Sequence, residues 1–168
     1  MRLIHMKALE LCEYIGSSVP KYTILSHNWG EEEVSFSQFS NPQSHHLAGY
    51  GKIKAFCKKS LEISDAEYGW VDTCCIDKSS SAELSEAINS MFQWYRNSDN
   101  CIVFLSDMPA ANPPAVEGLQ AAWIQGRVAE FKRCRWFRRG WTLQELIAPP
   151  KVAFFDQRWT FVGDKTSM

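Results

Sequence analysis

Four short runs constrain what this chain can fold into: YTIL at Tyr22 to Leu25, GWVDT at Gly69 to Thr73, CIVFL at Cys101 to Leu105 and VAFF at Val152 to Phe155. Each is rich in β-branched or aromatic residues and continuous rather than alternating. A strand with one wet face alternates; a continuous run suits a strand covered on both faces, as in a parallel sheet. Parallel neighbours need crossover connections, and the segments between these runs carry helical patterns. From about Ala82 to Asn97, Leu84, Ile88, Met91, Phe92 and Tyr95 recur at spacings of three and four, making one apolar stripe. Ser80 with Glu83 forms an S-x-x-E capping box, and Glu86 adds negative charge near the positive end of the helix. A shorter helix is expected over Tyr50 to Leu61, with Ile53, Phe56, Cys57 and Leu61 inward. Strands alternating with helices imply right-handed β-α-β units and a three-layer α/β fold, a mostly parallel sheet flanked by helices.

A chain of 168 residues fits a single domain, 1–168, with one core. Between Asp107 and Arg135 the pattern breaks: Pro109, Pro113, Pro114 and Gly118 mark a loop, and a modest helix is expected at Leu119 to Phe131. That length is unusual for a connection, so 107–135 reads as an insertion. The closing GDKTSM reads as a point where a longer protein was cut or continues. The net formal charge of −1 gives no electrostatic reason to expect nucleic acid or an anionic membrane as partner. No apolar run approaches the roughly 20 residues of a membrane span. A small ligand or a protein partner remains.

The N-terminal stretch MRLIHMKALELCEYIG sets Lys7, Glu10 and Glu13 where a signal peptide needs an unbroken apolar run. The cysteines at 12, 57, 74, 75, 101 and 134 form no C-x-x-C pair, so reduced thiols in a cytoplasmic protein are expected. His45 and His46 have no second ligand cluster beside them, and no metal site is expected.

Ligands of open parallel α/β sheets bind beyond the carboxyl ends of the strands, where loops meet helix N-termini. That edge reads SHNWGEEE (Ser26 to Glu33), CCIDKSSS (Cys74 to Ser81) and SDMP (Ser106 to Pro109). The later stretch RGWTLQEL, Arg139 to Leu146, returns there with Trp141 and Glu145 four apart, hence on one face of a short helix ended by Pro149 and Pro150. Each residue also has a plainer reading. Trp29 either plugs the sheet edge or offers a stacking face; Ser26, His27 and Asn28 either satisfy a tight turn or meet a ligand. Asp72 and Asp77 suit loop bracing, and Cys74 and Cys75 suit packing. Arg135, Arg138 and Arg139 suit a solvated face, a phosphate contact or an oligomer contact. Glu145, among Trp141, Leu143, Leu146 and Ile147, reads as a lone carboxylate in a largely buried helix, and such a group is usually paired or placed at a cleft.

Three blocks together, YTILSHNWGEEEVSF, YGWVDTCCIDKSSSAELSEAINSMFQWYRNSDNCIVFLSD and WFRRGWTLQELIAPPKVAFFD, resemble the fungal heterokaryon incompatibility (HET) domain. They span most of Tyr22 to Asp156. HET domains in turn resemble Toll/interleukin-1 receptor (TIR) domains. YTILSHNWGEEE is similar to the TIR opening strand and acidic loop, and GWTLQEL to the segment in which a tryptophan and cysteine precede a glutamate and leucine. Thr142 stands here in place of that cysteine. The resemblance implies a TIR-like, flavodoxin-like strand order with insertions at 34–50 and 107–135. It also implies a cell-death and incompatibility effector, with Glu145 as the glutamate on which NAD-cleaving TIR domains depend.

The chemistry suits one carboxylate. Glycoside cleavage normally takes two carboxyl groups, one to protonate the leaving oxygen. The nicotinamide of NAD+ is already cationic and departs neutral, so no acid is required. Glu145 then holds the ribose and stabilises the developing cation, and Trp141 walls the pocket or packs beneath it. Ser26, His27, Asn28, Trp29 and Asp72 complete the expected NAD+ pocket. NAD+ is substrate, no cofactor is expected, and self-association into a homo-oligomer is the expected trigger. The alternative is a non-catalytic TIR-like interaction module in fungal innate immunity or allorecognition. A flavodoxin-like nucleotide binder ranks lower, because no G-x-G-x-x-G or G-x-x-x-x-G-K run is present.

Overall fold

The computed structural model describes residues 1–16, 18–112 and 120–166. In chain order its strands are β1 (Arg2–His5), β2 (Glu10–Glu13), β3 (Tyr22–His27), β4 (Tyr68–Trp70), β5 (Asn100–Phe104), β6 (Val152–Phe155) and β7 (Phe161–Asp164). They form one sheet in the order β2-β1-β4-β3-β5-β6-β7. The central four, β4-β3-β5-β6, are mutually parallel and correspond to the four apolar runs. Their order, second-first-third-fourth, is that with which flavodoxin-like sheets begin. The edges are antiparallel: the β1–β2 hairpin pairs with β4, and β7 pairs with β6.

The helices are α1 (Phe36–Phe39), α2 (Ala48–Ile63), α3 (Asp72–Cys75), α4 (Ser81–Asn97), α5 (Gln120–Arg133) and α6 (Thr142–Ile147), with 3₁₀ turns at Pro42–Ser44 and Arg135–Arg138. The step from β3 to β4 runs one way along the sheet and the step from β4 to β5 runs back. Right-handed crossovers therefore set α2 and α4 on opposite faces. β4 records both faces in successive residues. A Cβ on Gly69 would lie 2.7 Å from the Phe56 ring of α2, so glycine is what lets that helix approach. The next residue, Trp70, meets Trp94 and Tyr95 of α4 at centroid distances of 5.6 and 6.2 Å. β6 repeats the division: Phe154 packs on Phe131 and Trp136, and Phe155 lies under Lys59 of α2. The three layers follow.

Several expectations change in detail. The GWVDT run is strand only as far as Trp70; Val71 caps α3, and Asp72 becomes the first residue of a helical turn. The 34–50 insertion contains α1, a 3₁₀ turn and the start of α2, two residues earlier than expected. The helix expected from Leu119 begins among the described residues at Gln120; Pro113, Pro114, Gly118 and Leu119 lie outside them, as do Ser167 and Met168 of the closing stretch. The capping box of α4 is half realised: Ser80 accepts from Glu83 N, while the Glu83 carboxylate turns to Arg2 and Asp77 N. The α4 stripe is only partly covered, with Ala87 and Tyr95 buried but Ile88 and Phe92 nearly half exposed.

Candidate functional site

The site is built on the carboxyl end of β3. All six β3 residues are buried, and Ser26, two on from Ile24, faces the same side of the sheet as Trp70, the register partner of Ile24. There Ser26 Oγ accepts from Trp136 Nε1 at 2.6 Å and donates to Glu145 Oε2 at 2.6 Å. Thr142 Oγ1 donates to the Trp136 carbonyl, tying the start of α6 to the backbone of the same tryptophan. Arg139 Nη1 donates to Glu145 Oε2 at 2.9 Å. Glu145 is 4% exposed, so this buried carboxylate is paired and hydrogen-bonded rather than lone, which is how a buried charge is tolerated. Both donors converge on Oε2; Oε1 takes no hydrogen bond among the described residues.

α6, expected to be largely buried, is buried only at Thr142 and Glu145, and Trp141 precedes it as its N-cap. Glu145 and Thr142 point inward, while Leu143 is 66% and Trp141 52% exposed. Trp141 is therefore a wall at the surface and not the packed anchor. The anchor is Trp136, fully buried against Phe137 and Phe154.

A second group hangs on Asp72. Its Oδ1 is 3.1 Å from His27 Nε2, and its Oδ2 accepts from Trp29 Nε1 at 2.9 Å. Lys78 Nζ lies 3.9 Å from Oδ2 and 3.7 Å from the centroid of the Trp29 ring, so one face of that indole is already taken. Burial pushes the Asp72 carboxyl up, but the His27 hydrogen bond and charge, with Lys78 and Trp29, outweigh it and hold the group below its ordinary value. Burial likewise depresses the Lys78 ammonium against the pull of Asp72. Burial, and then the nearby Glu145 charge, push the Tyr95 hydroxyl and the Cys101 thiol up.

The loop after β3 is fixed from outside the sheet. Glu33 Oε1 accepts from Gly30 N at 2.6 Å and from Lys52. Gly49 N donates to the Glu32 carbonyl at 2.9 Å, and a Cβ on Gly49 would lie 2.6 Å from that oxygen, so only glycine admits this approach.

The groups at Glu145 and Asp72 enclose one cavity of about 210 Å³, at the ends of β3 and β4 and under α4 and α6. His27, Trp29, Asp72, Trp141 and Glu145 line it, together with Tyr95, Lys78, Arg139 and Gln144. Ser26 does not; it lies behind Glu145, which it hydrogen-bonds. Asn28 lines a second cavity of about 550 Å³ beyond Trp29, at the ends of β3 and β5, with Ser106, Arg135 and Trp159. The polar strand ends expected to meet in one place are thus divided between two cavities that share Trp29.

Lys78 and Tyr95 escaped the sequence reading. Lys78 carries no periodic signal, and Tyr95 reads as one more member of an apolar stripe. Arg139 was visible without a preferred role. All six cysteines are free thiols, and Cys74 and Cys75 are buried packing residues. His45 stacks on Tyr50, with ring centroids 3.9 Å apart. Among the described residues no helix is long and apolar enough to cross a membrane.

Comparison with known proteins sets this geometry in a family. Residues 22–127 match the model of the family described as Heterokaryon incompatibility protein (HET), a match that ends before α6. The chain is 45% identical over 155 residues to the vegetative incompatibility protein HET-E-1 of Podospora anserina, an alignment covering 91% of this chain and 11% of that protein. The chain thus spans about a tenth of the length of that relative. No solved structure matches. With most of its length matched by the family model, from the first parallel strand through β5, this chain belongs to the heterokaryon incompatibility (HET) family.

Proposed function

We propose that this chain is an incompatibility and cell-death domain that acts by hydrolysing NAD+ to nicotinamide and ADP-ribose at Glu145. The observation that carries this reading is the placement of Glu145: a buried carboxylate, oriented through one oxygen by Ser26 and Arg139, on an aromatic-walled cavity at the carboxyl edge of a parallel sheet. Oε1 is free to accept from a ribose hydroxyl. As the C1′–N bond breaks, its electron pair passes to the pyridinium nitrogen, and neutral nicotinamide leaves. Positive charge grows on the ribose, where a fixed carboxylate in a site of low dielectric stabilises it. Water then adds to C1′ and releases a proton to solvent. A cavity of about 210 Å³ is below the roughly 300 to 1,000 Å³ of sites that take a whole small molecule. It suits the nicotinamide riboside end, with the rest of the dinucleotide running past Trp29 to the larger cavity. The strand order and the resemblance to TIR domains support the same reading.

The test is nicotinamide release by purified, folded protein over a wide concentration range, including tethered or crowded protein, since self-association is the proposed trigger. No release under any condition removes the hydrolase. A second reading, a non-catalytic interaction module, is supported by the exposed Ile88, Phe92, Leu143 and Ile147 on α4 and α6. Such apolar exposure suits a protein contact.

A further inference from the structure

The cavity at Glu145 already holds two cations of its own. Its two carboxylates each face one: Arg139 Nη1 is 2.9 Å from Glu145 Oε2, and Lys78 Nζ is 3.9 Å from Asp72 Oδ2. Lys78 also sits over the Trp29 ring at 3.7 Å, where a ligand cation gains most from an aromatic face. Neither cation is locked in: the Arg139 and Lys78 side chains are 26% and 33% exposed, against 5% for Glu145. Arg139 meets Glu145 through one N–H on one oxygen, not through the paired contact that makes arginine–carboxylate bridges strong.

We infer that this is a cation site filled by the protein's own side chains, that its ligand is a flat cationic heterocycle, and that the ligand displaces Arg139 from Glu145. The inference rests on the proposed NAD+ reading and deepens it: the pyridinium ring is the recognised group, and Arg139 is the placeholder that keeps the site closed. With Arg139 in place the carboxylate is neutralised, and the charge that would stabilise a developing ribosyl cation is masked. Entry of the substrate exchanges one cation for another, and when the C1′–N bond breaks and nicotinamide leaves neutral, the carboxylate charge faces the ribosyl cation.

The probe is 1-methylnicotinamide, a pyridinium cation without a ribose, with neutral nicotinamide as control; binding is read by calorimetry and by quenching of tryptophan fluorescence. Arg139→Gln keeps a hydrogen-bond donor for Glu145, so the carboxylate is not left bare and the fold is preserved. This variant is expected to bind 1-methylnicotinamide roughly tenfold more tightly than the wild-type protein, the scale of one partly desolvated charge pair. Affinity for nicotinamide should not change, Arg139→Lys should resemble the wild type, and adding Glu145→Gln should abolish the gain. Binding of the cation by Arg139→Gln no tighter than by the wild type, including no measurable binding by either, overturns the inference. A gain without any NAD+ cleavage keeps the cation site and removes the hydrolase reading. Cleavage with no gain overturns the inference and leaves the hydrolase reading standing.

Discussion

Ser26 and Glu145, 119 positions apart in sequence, share a buried hydrogen bond of 2.6 Å from Oγ to Oε2, and the same hydroxyl accepts from Trp136 Nε1. Ser26→Ala removes both at once. A buried indole N–H without a partner costs about 1 to 3 kcal/mol, so the variant should unfold at lower denaturant by that amount. Nicotinamide release should fall with it, because the carboxylate keeps only its contact to the half-buried Arg139. Unchanged stability would mean that the hydroxyl orients nothing.

Trp136 in the 3₁₀ turn and Trp141 at the start of α6 should respond in opposite ways. Trp136→Ala empties a fully buried site and should cost about 3 to 5 kcal/mol. Trp141→Ala removes a side chain 52% exposed at the cavity wall, and should change stability by less than about 1 kcal/mol while weakening ligand binding. Paired melting curves and binding titrations decide between wall and anchor for each.

The continuous runs announced β3 to β6 because a strand covered on both faces needs nothing but apolar residues. The edge strands gave no such signal. Glu10–Glu13 is exposed at both ends and half-buried between, and Phe161–Asp164 holds one buried residue, Gly163. Edge strands are fixed by pairing with a neighbour, and pairing is not written in local composition. Glu145 was legible as an unusual carboxylate on a short helix. Its partners were not: Ser26 comes from β3, 119 positions away, and Arg139 from the end of the 3₁₀ turn, and only the fold brings both to the carboxylate. The largely buried helix expected around Glu145 is instead six residues at the surface that turn only Thr142 and Glu145 inward. Trp141 and Leu143 then point outward.

Gly49 and Gly51 lie on the same helix and separate close approach from helix propensity. An added Cβ at Gly49 meets Glu32 O at 2.6 Å and Val34 N at 2.8 Å, so Gly49→Ala should push the 31–34 loop away and cost about 1 to 3 kcal/mol. Nothing lies within 4 Å of a Cβ at Gly51, and Gly51→Ala should stabilise by about 0.5 to 1 kcal/mol. Thermal melts of the two variants give the sign directly.

Asp72 sets an acid limit. Its folded carboxyl is held below the ordinary value of about 3.9, so its contribution to stability is fully present above that pH. The contribution is lost as pH falls through the folded value. His27, Trp29 and Lys78 supply the partners that lower it. Asp72→Asn should therefore flatten the fall in stability below about pH 4 and leave the slope near neutrality unchanged. Denaturant midpoints across pH 2 to 7 test this; an equal acid slope in the variant would assign the limit to other carboxylates.

The most direct measurement compares nicotinamide release by the wild-type protein and by Glu145→Gln at equal concentration, with folding of both verified. The glutamine keeps the shape and a hydrogen-bonding oxygen for Ser26, loses the negative charge, and leaves Arg139 to solvent, so the melting temperature should move little. Loss of one such electrostatic contact costs about 100-fold or more in rate. The predicted result is a wild-type protein that consumes NAD+ and a folded glutamine variant slower by at least that factor. A glutamine variant that cleaves NAD+ as fast as the wild type would contradict the account.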